Sequence, residues 1–162
     1  MRDTVITPKS TGLSTDNIPT TNNLSTMFYL SDSTMLQGLL LTGMTGFTPS
    51  GSYPTDITQA TIGGVYLRLN PASPITSKSP YIKDCTANSA GGVAAIVDGS
   101  VHATGYKSMV FWAYNTIMDG GVGVWAANGG KVEAVSVFTY YAYFGYVTSG
   151  GCLLYTSPSP RD

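Results

Sequence analysis

The chain has 162 residues, the length of a single domain, and only 10% of them are charged, against about 25% in a typical soluble protein. The net charge of −1 provides no basic field to attract nucleic acid, and the 43% hydrophobic content argues against a disordered chain. No apolar run approaches the roughly 18 residues of a membrane helix, so membrane insertion is not expected. The N-terminus also lacks the apolar segment of a signal peptide.

The first 62 residues predict short strands separated by loops. Arg2–Lys9 is predicted to be a strand, followed by a polar loop over Thr11–Ser25. Two short apolar strands are expected at Met27–Leu30 and Met35–Leu41. Phe47–Thr61 contains prolines and glycines and is predicted to be a loop insertion.

The sequence Gly-Gly-Val then occurs three times, beginning at Gly63, Gly91 and Gly120, with spacings of 28 and 29 residues. A fourth Gly-Gly pair begins at Gly150, 30 residues later. Self-similarity at a fixed period of about 20–50 residues is typical of stacked repeat architectures. The repeat therefore predicts units that stack on one another.

Each Gly-Gly-Val phrase is predicted to open a half-buried strand, because apolar residues alternate after it. In the first repeat Val65, Leu67 and Leu69 are expected to face the core, with Tyr66 and Arg68 on the other side. The repeats align these positions in two columns, Val65/Val93/Val122 and Leu67/Ala95/Val124.

Further strands are expected in each repeat, and no segment is free of turn-favouring residues for long enough to predict a helix. The second strand is predicted at Tyr81–Ala87, Val110–Thr116 and Tyr140–Tyr146, and a shorter third at Val101–Thr104 and Val132–Val137. Two or three strands per repeat predict an all-β fold, a right-handed parallel β-helix over residues 1–151, clearest at 63–151, with coils of about 28–30 residues. An antiparallel sandwich is the alternative, but it would require turn signals every 8–12 residues.

Two sets of residues are candidates for function. The first comprises Arg68, Ile96 and Trp125, which align on the predicted outer side of the strand and would be contacts for a partner unless other parts of the chain cover them. The second is a ladder of turn residues, Asn70, Asp98 and Asn128, whose side chains suit local backbone hydrogen bonds.

No catalytic, metal-binding or cofactor-binding motif is convincing. Arg68 with Asp98 is the one acid–base pair that a polysaccharide-cleaving enzyme could use, but turn chemistry explains Asp98 better. His102, the single histidine, is predicted to lie in a solvated turn without a nucleophile nearby. The G-x-G-x-x-A run at Gly121–Ala126 would need a following helix to bind a dinucleotide, and Asn128-Gly129 prevents one.

The last eleven residues, Cys152–Asp162, interrupt the repeat and resemble the translation of a transposase adapter used in sequencing libraries. This resemblance implies a non-native tail at 152–162, which we expect to pack poorly, attached to a fragment of a longer repeat protein. Without Cys152 the chain keeps only Cys85, which can form no intramolecular disulfide.

Five phrases between Gly63 and Gly151 resemble large virion proteins of tailed marine phages; they occupy residues 79–86, 97–100, 107–110, 120–125 and 135–139. The resemblance implies a structural protein of a phage tail, as a fibre, tailspike or baseplate part that supports attachment to the host. It also implies a virion, extracellular location, a homo-oligomer such as a trimer, other virion proteins as partners, and a bacterial surface glycan as a further one. A polysaccharide lyase or hydrolase and a bacterial surface adhesin are the alternatives, and a non-enzymatic role is favoured.

Overall fold

The structure is a computed structural model that describes residues 4–6, 25–43, 55 and 64–156. In these ranges the secondary structure consists of strands and one short 3-10 turn at Thr104–Tyr106. The thirteen described strands are β1 Thr4–Ile6, β2 Ser25–Leu30, β3 Met35–Gln37, β4 Leu39–Thr42, β5 Gly64–Leu69, β6 Tyr81–Ala90, β7 Val93–Asp98, β8 Ser108–Asp119, β9 Val122–Ala127, β10 Lys131–Val135, β11 Phe138–Tyr140, β12 Phe144–Ser149 and β13 Cys152–Thr156.

The strands form two sheets in which every strand pair is parallel. The eight-stranded sheet has the order β1-β4-β6-β8-β10-β13, with β3 also paired to β6 and β11 to β8. The five-stranded sheet has the order β12-β9-β7-β5-β2. From β5 onward the chain passes back and forth between the two sheets, with β10 and β11 both added to the eight-stranded sheet before the chain returns at β12.

The predicted right-handed parallel β-helix is wrong. The described strands form two parallel sheets packed against each other as a sandwich, and they do not close into a solenoid. The period requires only that successive units return to the same sheet, so it predicts which strands are neighbours and says nothing about closure around the core. The antiparallel sandwich is wrong as well, because the strand pairs are parallel.

The strand pairing between repeats follows the two predicted columns, although the side chains of one column point away from the main core. Val65 pairs with Val93 and Val93 with Val122, while Leu67, Ala95 and Val124 are aligned in the same manner. The second column belongs to the main core, but the valine column lies in a separate buried cluster. Simple alternation therefore fails near the start of each of these strands.

The glycines of the repeated phrase have two different roles. Gly91 and Gly120 have φ values of 73° and 72°, a left-handed conformation in which a side chain is strained. At the second glycine the backbones of neighbouring strands approach closely. A Cβ on Gly92 would lie 2.8 Å from the Gly64 carbonyl oxygen, and one on Gly121 would lie 2.5 Å from the Gly92 carbonyl oxygen.

The main core fills the space between the two sheets, and buried tyrosines connect one sheet to the other. The Tyr66 hydroxyl donates to the Asn88 carbonyl oxygen at 2.8 Å, and the Tyr114 hydroxyl donates to the Ala94 carbonyl oxygen at 2.9 Å. A buried hydroxyl without an acceptor would cost free energy, so these bonds also fix how the sheets face each other. Aliphatic and aromatic side chains from both sheets complete this core, including Leu67, Leu69, Ile82, Ala95, Val97, Met109, Phe111, Val124 and Val132.

The eight-stranded sheet bends along one column. Asp84, Ala113 and Ser136 follow the register partners Lys83, Trp112 and Val135, and their φ values are 51°, 52° and 52°. The bend divides the sheet into two facets. The first facet contains β3, β10, β13 and the initial halves of β6 and β8; the second contains β1, β4, β11 and the remaining halves.

Several predicted elements differ from the observed ones. Tyr140–Tyr146 is not one continuous strand, because β11 ends at Tyr140, Tyr141 has a φ of 57°, and β12 begins only at Phe144. Val101–Thr104 is a loop leading into the 3-10 turn, whereas the strand predicted at Val132–Val137 corresponds to β10. The predicted loop at Phe47–Thr61 lies outside the described residues except for Thr55.

The expectation that the tail packs poorly is wrong for Cys152–Thr156. These residues form β13, which pairs in parallel register with β10, and Leu153 packs against the main core. Residues 157–162 lie outside the described part of the chain. The foreign origin of residues 152–162 stays a prediction.

We expect Gly121→Ala to destabilise the fold by about 1–3 kcal/mol, because the added methyl group would overlap the backbone of the preceding layer. The matched control is Gly105→Ala, since no atom of the described part of the chain lies within 4 Å of a Cβ at that exposed position. Urea unfolding of both variants measures the difference. Equal stabilities for the two would show that the layers are not in tight contact at Gly121.

Candidate functional site

Arg68, Ile96 and Trp125 lie next to one another on β5, β7 and β9 as consecutive register partners. All three are fully buried, so the prediction that they are exposed for a partner is wrong. Ile96 and Trp125 belong to the buried cluster that includes Val65, Val93 and Val122. The Trp125 indole Nε1 donates to Ser149 Oγ at 2.8 Å, which links it to the next layer.

Arg68 and Asp98 form a buried ion pair, with Arg68 Nη2 3.3 Å from Asp98 Oδ2. It is the only ion pair found among the residues that the structure describes. Arg68 lies within a strand and Asp98 ends the neighbouring one, and this difference in position argued against pairing them from the sequence. Parallel stacking places them on adjacent layers, where the long arginine side chain reaches the end of β7.

The Asp98 carboxylate is also held by the turn that follows it. Its Oδ1 accepts hydrogen bonds from the Ser100 backbone N–H at 3.0 Å and from Asn128 Nδ2 at 3.1 Å. Burial alone would raise the pKa of Asp98, but the hydrogen bonds from Asn128 and Ser100, with the charge of Arg68, lower it below the ordinary value. The side chain therefore stays ionised.

The three predicted turn residues are only partly in contact. Asn128 bonds directly to Asp98, whereas Asn70 bonds elsewhere. Asn70 Oδ1 accepts the Ala72 backbone N–H at 2.9 Å, and its Nδ2 lies 3.4 Å from Ser31 Oγ of the preceding layer. Asn70 and Asp98 thus use the same local chemistry, a side-chain oxygen that accepts the N–H two residues later.

His102 joins this polar cluster, which sequence reasoning missed. The side chain is buried, so the prediction of a solvated turn is wrong. Its Nδ1 accepts the Ile75 backbone N–H at 3.0 Å, which ties the 71–80 loop to the turn after β7. Burial lowers the pKa of His102, while the nearby Asp98 charge acts in the opposite direction. The four-residue spacing from Asp98 to His102 was the only signal in the sequence.

Three buried nitrogen atoms in this cluster have no hydrogen-bond partner among the described residues: Nε and Nη1 of Arg68, and Nε2 of His102. Because Nδ1 of His102 accepts a hydrogen bond, the proton of the neutral ring lies on Nε2. No group of His, Cys, Asp or Glu in the described ranges could hold a metal ion. The arrangement suits a structural role in which the cluster holds successive layers together. It does not suit catalysis, because burial keeps substrates away from the Asp98 carboxylate.

The exposed surface carries a second group of interest, an aromatic patch formed by Phe138, Tyr140, Tyr141 and Tyr143. Tyr141 is 78% exposed, and the others are about half exposed. The Phe138 and Tyr140 rings are stacked with centroids 6.4 Å apart. The aromatic side chains just before and after residue 140 therefore lie largely at the surface.

Comparisons with known proteins provide no relative for this chain: no family model, no curated protein and no solved structure matches it. The described residues also contain no helix long and apolar enough to cross a membrane.

We expect Asp98→Asn to lower the free energy of unfolding by about 3–5 kcal/mol, because it leaves the Arg68 charge buried without its partner. In the double variant Arg68→Met with Asp98→Asn, the loss should be smaller than the sum of the two single losses. Asp119→Asn is the control, since it changes an exposed carboxylate and should stay within about 0.5 kcal/mol of the wild type. Additive losses in a urea-unfolding cycle would contradict a coupled pair.

We expect stability to fall as the pH drops below about 6.5, the ordinary pKa of histidine in an unfolded chain. The pKa of His102 is lowered in the folded state, so the unfolded chain binds the proton first and acid favours unfolding. Asp98 acts in the same direction at lower pH, since its contribution is lost as the pH falls through its lowered pKa.

The variant His102→Asn tests this, because an Asn oxygen can also accept the Ile75 N–H. The wild type should lose stability between about pH 7 and pH 5, and the variant should lose less of it over the same interval. The chain has one histidine, so no other imidazole contributes to the difference. Identical pH profiles in thermal unfolding would count against the role assigned to His102.

Proposed function

We propose that this chain is a non-enzymatic structural protein of a bacteriophage tail, a fibre, tailspike or baseplate part that supports attachment to the host surface. The five phrases that resemble virion proteins of tailed marine phages suggest this role. The exposed aromatic patch is the structural observation that supports it, because a concentration of half-exposed aromatic side chains is typical of protein contacts. In a virion these contacts would join copies of this chain or neighbouring tail proteins.

The buried polar cluster supports a structural role rather than catalysis. The Asp98 carboxylate is enclosed by Arg68, Asn128 and the Ser100 N–H, all of which hold it in its ionised form. A general acid must carry a proton and reach the substrate, and the glycosidase acid typically has a raised pKa. Asp98 has the opposite pKa shift and is buried.

We expect an antibody against this chain to label the tail of intact particles in electron microscopy. Purified chain added to host cells should also reduce subsequent phage adsorption, because it occupies the same receptors. Phe138→Ser with Tyr140→Ser should weaken any self-association seen by sedimentation, since it removes two stacked rings of the patch. Gly105→Ala is the matched control, because that position is exposed and open.

Two results would contradict the proposal. Particles whose purified tails lack this chain by mass spectrometry would remove it from the virion. Release of new reducing ends or unsaturated products from host glycans, abolished by Asp98→Ala, would favour the polysaccharide lyase or hydrolase instead.

A further inference from the structure

The turn after β9 contains the single Asn-Gly pair of the sequence, Asn128-Gly129. Both residues are exposed, and both have left-handed backbones with φ values of 51° and 75°. Asparagine is one of the thermolabile residues of proteins, because a backbone nitrogen can attack its side-chain amide. A glycine in the next position favours this attack, since it has no Cβ to shield the nitrogen or to restrict the backbone.

The side-chain amide of Asn128 belongs to the buried polar cluster. Its Nδ2 donates to Asp98 Oδ1 at 3.1 Å, while Arg68 Nη2 lies 3.3 Å from Asp98 Oδ2. Burial raises the pKa of Asp98, and the hydrogen bond from Asn128 is the largest of the effects that lower it. The amide therefore acts as a donor that an ionised carboxylate at position 128 could not replace.

The backbone of the turn is held by the last layer of the stack. The Gly129 N–H donates to the Gly150 carbonyl oxygen at 2.6 Å, and the Asn128 N–H donates to the Ser149 carbonyl oxygen at 3.1 Å. Gly150 lies between β12 and β13, the terminal strands of the two sheets on this side of the described structure. Terminal elements open at a lower free energy than central ones, so this layer releases the Gly129 nitrogen more often than global unfolding would.

We propose that Asn128 is a site of spontaneous deamidation whose products weaken the contact between Asp98 and the turn after β9. When the last layer opens, the Gly129 nitrogen bonds to Cγ of Asn128. The bond from Cγ to Nδ2 breaks, and ammonia leaves with the proton that Gly129 has lost. Water then hydrolyses the cyclic imide at one of its two carbonyl groups, which gives aspartate or isoaspartate. The modification is independent of any role in a virion.

Both products disturb the cluster. Aspartate replaces the donor beside Asp98 with a second negative charge, so the one positive charge of Arg68 faces two carboxylates. Isoaspartate lengthens the backbone by one carbon between Asn128 and Gly129. The turn then no longer matches its two hydrogen bonds, from the Gly129 N–H to Gly150 and from the Gly130 N–H to the Ala127 carbonyl oxygen.

The first test incubates the full chain at mildly alkaline pH, folded and in urea, and measures conversion at each asparagine by peptide mapping with mass spectrometry. Asn88 is the internal control, because it is exposed but is followed by Ser89. Asn128 should convert at least about tenfold faster than Asn88 in both conditions, because only Asn128 precedes an unshielded glycine nitrogen. Conversion of Asn128 should be slower in the folded chain than in urea. Equal conversion of the two asparagines, or equal rates for Asn128 in both conditions, would overturn the inference.

The second test measures thermal unfolding. Asn128→Asp reproduces one product and should lower the Tm by about 3–8 °C, whereas Asn88→Asp, the matched control, should change it by no more than about 2 °C. Asn128→Gln keeps an amide donor but would have to form a larger ring, so its Tm should not fall on incubation. The wild type should lose Tm in proportion to its conversion, which tests the consequence even if Asn128→Asp does not fold. A converted wild type with an unchanged Tm would contradict the proposal.

Discussion

Close backbone contact between layers at the second glycine of each Gly-Gly-Val phrase is the constraint on which the rest of the structure depends. At Gly92 and Gly121 a Cβ would meet the carbonyl oxygen of the glycine one layer earlier. Strands that approach this closely at one end have little freedom to slip, because a shift by one residue would bring a side chain into the contact. The glycine column therefore fixes the register of β5, β7 and β9 along their whole length.

The polar cluster is a consequence of that register. Arg68 follows Gly64 by the same four residues that separate Ile96 from Gly92 and Trp125 from Gly121, so these side chains stack. Asp98 lies at the end of β7 and Asn128 directly follows β9, so the two side chains are neighbours and Arg68 reaches Asp98. Desolvation of two charges offsets much of the attraction between them, and the unpartnered nitrogens of Arg68 add to the cost. The intact pair therefore adds little net stability, whereas loss of one partner leaves the other charge buried alone, and the predicted non-additivity of Arg68→Met and Asp98→Asn measures this coupling.

The repeat period allowed neighbouring strands to be predicted because a period is a statement about stacking. It gave the pairing of Val93 with Val122, and the aromatic and β-branched runs located β6 and β8 approximately. It could not predict which way the valine side chains point, because the strand is irregular next to the glycines. The alternation rule does not apply at such irregular positions. The break between Tyr140 and Phe144 was missed for a related reason: Tyr141 adopts a left-handed φ that its β propensity argues against.

The site was harder to predict than the strands, since its residues meet only through turns. His102 contacts the 71–80 loop, 27 residues earlier in sequence, through a backbone N–H that carries no signal in the sequence. For a similar reason, the sequence could not show whether the strands close into a solenoid or form two packed sheets. Hydrophobic alternation predicts which residues are buried, but it does not predict where a sheet bends. The bend here occurs at Asp84, Ala113 and Ser136, which share a left-handed φ but no common residue type.

The stacked register has a consequence for the surface as well as for the core. When layers are held at a constant spacing, any side chain that recurs once per layer becomes a regular row on the outside. Lys83, Trp112 and Val135 form such a row, because they are consecutive register partners on β6, β8 and β10, and their spacing is set by the backbone. The same close packing that makes Gly121 intolerant of a methyl group thus also determines which side chains are neighbours on the surface, such as Lys83 and Trp112.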